Sequence, residues 1–186
     1  MAISPTQAPK LPLVRLSVLV VAVALVALTI TWTFLGMRAV MDIGGACASG
    51  GPYVPVQQCP EGATALLSGG ISLLVLSTLL ASGVALTLSA PTLLLPLWVL
   101  LFGSFGWNFL EYAFAPDDGI VIGWLIPGVM FELMAFPAAV WWIAGATGHL
   151  PSLGSRPTGA ARWWLAYAVT GTVGIMLGWW TFDLWT

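Results

Sequence analysis

The sequence predicts an all-α fold, a polytopic bundle of transmembrane helices, and three observations carry that reading. Of its 186 residues 59% are hydrophobic and only 6% are charged, whereas a soluble domain carries about a quarter charged residues. Five Lys/Arg and seven Asp/Glu are too few to solvate the surface of a water-soluble fold, and a mean hydropathy of +0.98 makes lipid the solvent for most of the chain. The apolar residues also gather into five runs, each about as long as the ~20 residues a helix needs to cross the hydrocarbon. With no water at that depth, the runs satisfy their backbone groups internally as helices.

The first run covers residues 16–37, "LSVLVVAVALVALTITWTFLGM", and follows an N-terminal tail of residues 1–15 expected to be short and mobile. Its length exceeds the 7–15 residues of a signal-peptide core, and "ACA" at 46–48 lies too far beyond it, past Arg38 and Asp42, to serve as a cleavage site. A retained helix is therefore expected. The second run, 63–88, and the third, 92–114, are separated only by "SAP" at 89–91. The fourth, 120–144, follows the tight "APDDG" turn, where Asp117 or Asp118 is expected to cap the helix. Pro127, in the pair Pro127–Gly128, is expected to bend it, with further bends at Pro96 and Pro137. The fifth run is 163–184, and residues 16–186 form a single transmembrane domain.

Charge placement sets the expected orientation. With the N-terminus inside, Lys10, Arg15, Arg156 and Arg162 fall on the cytoplasmic side and only Arg38 falls outside, which satisfies the positive-inside rule. Tryptophans favour the lipid–water boundary. Trp141, Trp142, Trp163 and Trp164 group at the inner edge, and Trp32, Trp124, Trp179, Trp180 and Trp185 at the outer one. The topology expected is five spans, N-in and C-out.

That topology makes 38–62 an outer loop holding both cysteines, Cys47 and Cys59. In an oxidising space a disulfide here closes a ring worth about 3 kcal/mol by chain entropy. Gly50 and Gly51 permit positive φ, and Pro52 and Pro55 stiffen the turns. A C-x-x-C spacing, which tunes a redox pair, is absent. Gly44 stands where lipid attachment at Cys47 would want an apolar residue. A zinc site is excluded because the sole histidine, His149, falls on the opposite side and reads as a solvated surface imidazole. The patterns "GGACASGGPY" and "QQCP" resemble the outer loop of multi-spanning membrane proteins of actinobacteria. The resemblance implies a Gram-positive plasma membrane and carries no activity.

Ionisable groups inside a bilayer are costly and therefore informative. Glu132 lies near the middle of the fourth run and Glu111 about one turn from the outer end of the third. Counting outward from the hairpin turns places Glu132 level with Gly103 and Ser104 on one neighbour and between Gly174 and Gly178 on another. A tight seam of helices three, four and five is expected, with Ser104 as hydrogen-bond partner of Glu132. Glu111 is expected level with Gly123, Gly69 and Gly70, with Asn108 on its helical face and Arg38 the one nearby cation. Glu132 is expected either to glue helices together, to handle protons or cations, or to contact a partner's helix. Gly174 and Gly178 serve packing within the bundle or association of copies through small-residue faces.

Five dispersed basic residues exclude nucleic acid as a partner. No cofactor or metal is expected: the spans hold no histidine for haem and no lysine for a Schiff base. An enzyme is disfavoured for want of a nucleophile–base pair. The expectation is a non-enzymatic plasma-membrane protein, an accessory or interaction subunit presenting the bridged loop. The alternative is a small proton or cation transporter using Glu132 and Glu111.

Overall fold

The computed structural model describes residues 10–45, 47, 57–115, 119–147 and 160–186. The expectations for the tail 1–9, the ring residues Gly50, Gly51, Pro52 and Pro55, the capping Asp117 and Asp118, His149 and Arg156 lie outside them. The fold is all-helical: α1 Lys10–Asp42, α2 Ala63–Thr87, α3 Leu94–Phe114, α4 Ile122–Thr147 and α5 Ala160–Trp185. All five are long and apolar enough to cross a membrane, the make-up of a multi-pass membrane protein. Cys47 and Cys59 form a disulfide with Cα atoms 4.9 Å apart.

α1 outruns its apolar stretch at both ends, because hydropathy marks what lipid tolerates and not where a helix stops. Pro12 falls in its first turn, where no intrahelical N–H is needed. Pro96 likewise falls in the first turn of α3, so the bend expected there has no missing hydrogen bond to cause it. Pro127 and Pro137 do lie inside α4. The "SAP" link is a tight helix stop in which Ser89 takes a left-handed φ of 52°. The Ala90 N–H donates to Ala85 O (3.0 Å) and the Ser89 N–H to Leu86 O (3.3 Å), closing the end of α2.

α1 is the axis of the bundle. α2 lies antiparallel to it, with Gly36 against Leu67 and Gly70 against Thr33. α5 lies parallel to it: a Cβ at Gly178 would stand 2.8 Å from Thr31 Cβ, and one at Gly174 would strike Ala24 O. Thr29 and Thr33, fully buried in α1, donate to Leu25 O (2.8 Å) and Thr29 O (2.7 Å) in their own helix. Their hydroxyls are therefore satisfied without a neighbour, leaving flat surfaces for close approach. Leu19, Ala22, Val23, Ala81, Ala85 and Tyr167 fill the core toward one end, and Ala63, Leu66 and Phe182 toward the disulfide end.

α3 touches α1 along one edge, and α4 packs chiefly on α3. This corrects the expected seam of helices three, four and five. Gly174 and Gly178 meet α1 and not α4, because small residues on α5 find a matching small-residue face on the axis helix. α4 reaches α5 through the rings of Trp142 and Trp164, 6.0 Å apart. The chain near the disulfide is tied down at two points. Gly45 (φ +83°) lies under the Trp124 ring of α4, and Gly62 (φ +72°) lies against Trp185 O at the end of α5. No side chain fits at either position.

Candidate functional site

Two polar features stand within the apolar bundle. The first, near the disulfide, is a clamp between α1 and α3. Arg38 Nη1 donates to Glu111 Oε2 (2.6 Å) and Asn108 Oδ1 (3.0 Å), and its Nη2 donates to Glu111 Oε1 (3.0 Å). The bidentate geometry fixes both side chains as a unit. Asn108 is fully buried and donates from Nδ2 to Phe34 O (3.4 Å). The guanidinium also lies over the rings of Phe34 (5.8 Å) and Tyr112 (5.4 Å), a cation–π arrangement with one ring from each helix. Tyr112 donates its hydroxyl to Asp42. The helical spacing explains the grouping: Phe34, Arg38 and Asp42 are four apart on α1, and Glu111 and Tyr112 lie three and four residues after Asn108 on α3. Tyr112 and Asp42 were missed from sequence, although that i, i+4 ladder was the signal that could have found them.

The second feature is Glu132. It is ten residues into α4, so ~15 Å from the start of that helix at 1.5 Å per residue. Its side chain lies over Gly106 of α3, where a Cβ would come within 2.6 Å of Oε1. Ser104 is not its partner: the Ser104 hydroxyl donates to Leu101 O in its own helix (3.0 Å). The pairing along the hairpin runs from Gly128 against Leu110 to Glu132 against Gly106, which passes Ser104 by. The glycines expected level with Glu111 do not assemble around it either: Gly69 and Gly123 meet nothing within 4 Å, and Gly70 belongs to the α1–α2 contact. Among the described residues the Glu132 carboxyl has no hydrogen bond and no ion pair.

Glu132 lines a groove of about 380 Å³ between α3 and α4, with Val99, Gly103, Val129, Leu133 and Phe136. Val129, Leu133 and Phe136 are 43%, 60% and 67% exposed, so the groove opens at the flank of the bundle, where lipid would stand. On the hairpin's other flank, Trp98, Met134, Pro137 and Trp141 line a second groove of about 510 Å³. There the Trp98 indole N–H donates to Met134 O (3.0 Å), supplying a donor in the turn that Pro137 interrupts. No three His, Cys, Asp or Glu side chains gather among the described residues, so none is assigned as a metal ligand. Comparisons of the chain with protein-family models, with curated proteins and with solved structures return no match.

Proposed function

We propose that the chain is a non-enzymatic accessory or interaction subunit of a plasma-membrane assembly, oriented N-in and C-out. On this reading the disulfide-bridged loop is presented outside the cell. The observation that carries the proposal is the way polar groups are distributed. The Arg38–Glu111–Asn108 clamp is consumed in holding α1 to α3, and the Glu132 carboxyl opens sideways among apolar side chains. A fixed platform with a lateral polar mark suits a protein that recruits or positions another membrane protein. Basic residues support the orientation, since Arg15 and Arg162 lie at the end of the bundle away from the disulfide.

The second reading is movement of protons or cations, and the unpaired Glu132 is the observation in its favour. Glu111, its expected second carboxylate, is bound bidentately by Arg38. Affinity purification of the tagged full chain from native membranes, followed by mass spectrometry, tests the first reading. A stoichiometric companion that survives detergent exchange is expected; recovery of the chain alone contradicts it. Proton and cation flux into liposomes holding the purified chain tests the second. Flux equal to that of the Glu132→Gln variant is expected, whereas flux abolished by the substitution would establish transport instead.

A further inference from the structure

Resting on the accessory reading, we propose that the α3–α4 groove at Glu132 receives a transmembrane helix of a different protein, one carrying a basic side chain near the bilayer centre. The argument begins with what Glu132 lacks. A carboxyl in hydrocarbon is costly and as a rule paired, and this one has no partner among the described residues. The other large polar side chains between the helices are satisfied there: Asn108 by Arg38 and Phe34 O, Trp32 by Thr181 (2.8 Å), Trp98 by Met134 O. Glu132 departs from that pattern, and it faces outward.

The groove beside it is floored by small residues. A Cβ at Gly103 would meet nothing within 4 Å, and Gly106 is buried with the Glu132 side chain against it, while Ala135 and Ala139 continue the small-residue floor on α4. Small residues let a neighbouring backbone come close enough for a donor to reach the carboxyl. Val129, Leu133 and Phe136 form an apolar wall already exposed at the flank.

Charge complementarity selects the occupant. A second copy of this chain has no cation to offer at that depth. Lys10 and Arg15 lie at the start of α1 and Arg162 at the start of α5, Arg38 is held by Glu111, and Arg156 and His149 fall between the last two apolar runs. The cation must therefore come from another protein. A lysine in the middle of an otherwise apolar span is tolerated when the remaining side chains are hydrophobic enough, and it gains most from meeting a carboxylate away from water.

The test uses the purified full chain in liposomes and a synthetic helix of about 22 Leu/Ala residues with one Lys at its centre, association being read by energy transfer between labels. The Lys helix should associate at least tenfold more tightly than the same helix with Leu at that position. The preference should vanish in Glu132→Gln, a nearly isosteric change, and in Gly103→Leu, which fills the groove but keeps the carboxyl. Equal binding of the Lys and Leu helices, or a preference that persists in either variant, overturns the proposal. So does self-association of the chain that Glu132→Gln abolishes. If native-membrane companions are recovered equally with Glu132→Gln, the accessory reading stands while the groove is refuted as its means. If wild type brings down no companion yet prefers the Lys helix, the reverse holds.

Discussion

The α1–α2–α5 triad and the α3–α4 hairpin solve the same problem differently. In the triad, glycines bring backbone to backbone: Gly174 lies against Ala24 O, Gly178 against Thr31, Gly36 against Leu67. In the hairpin, rings fill much of the space as well. Trp98 and Phe102 stand 4.5 Å apart, Phe102 and Phe131 5.9 Å, Phe109 and Phe131 5.5 Å, and Phe109 and Trp124 5.7 Å. Lipid tails are as apolar as the helices, so association within a bilayer depends on close packing and not on apolar burial. The hairpin adds a ring ladder to close approaches of its own, Gly128 to Leu110 and Gly106 to Glu132, and its two grooves lie at the flanks. Both grooves lie along the hairpin, and on the reading proposed above the one at Glu132 is the docking face.

Substitutions can break this contrast, and the largest effect falls in the triad. Gly174→Ala drives a methyl into the Ala24 carbonyl and is expected to cost about 3 kcal/mol, near the upper end for overpacking. A thermal melt in mild detergent measures it as a lower midpoint. Gly103→Ala in the hairpin meets open space and is expected to change stability by less than about 1 kcal/mol, with the sign favourable from helix propensity. Equal destabilisation by the two would erase the distinction between the regions.

The joint between them comes next. Arg38→Met leaves Asn108 and Glu111 without their shared donor. A fully buried pair broken this way costs about 3–5 kcal/mol, but the Arg38 and Glu111 side chains are 31% and 43% exposed, so about 2 kcal/mol is expected. Cysteine pairs placed across α1 and α3 should then crosslink more slowly, while pairs across α1 and α5 should be unchanged. Smallest is Trp98→Phe, which keeps the ring contact with Phe102 but removes the donor to Met134 O. A loss of about 0.6 kcal/mol is expected, typical of an interhelical hydrogen bond in a membrane, read from the same melts.

The five helices were legible because hydrocarbon permits so few alternatives: an apolar run of the right length has to be helical. Helix ends were less legible, as the extra turns of α1 at Lys10 and Asp42 show, since those turns are set by backbone hydrogen bonding beyond the apolar run. The Cys47–Cys59 bridge followed from two cysteines sharing one loop. Neighbour relations were not legible. Counting from turns treats successive helices as adjacent, and it placed α5 beside α4, whereas Gly174 and Gly178 lie on α1. Glu132 stood out as an intramembrane carboxyl, but its pairing with Ser104 failed for a local reason. A serine in a helix satisfies itself on the carbonyl one turn back, and nothing in the spacing of residues reveals that it has done so.

Carbodiimide labelling of the purified chain in liposomes tests most directly whether Glu132 faces the bilayer from the hairpin flank. A lipid-soluble carbodiimide is expected to modify Glu132, identified by mass spectrometry, while a membrane-impermeant one leaves it untouched and Glu132→Gln abolishes the modification. Labelling of Glu132 by the impermeant reagent, or protection from both, would contradict the account, because the carboxyl would then stand in water or be sealed within the bundle.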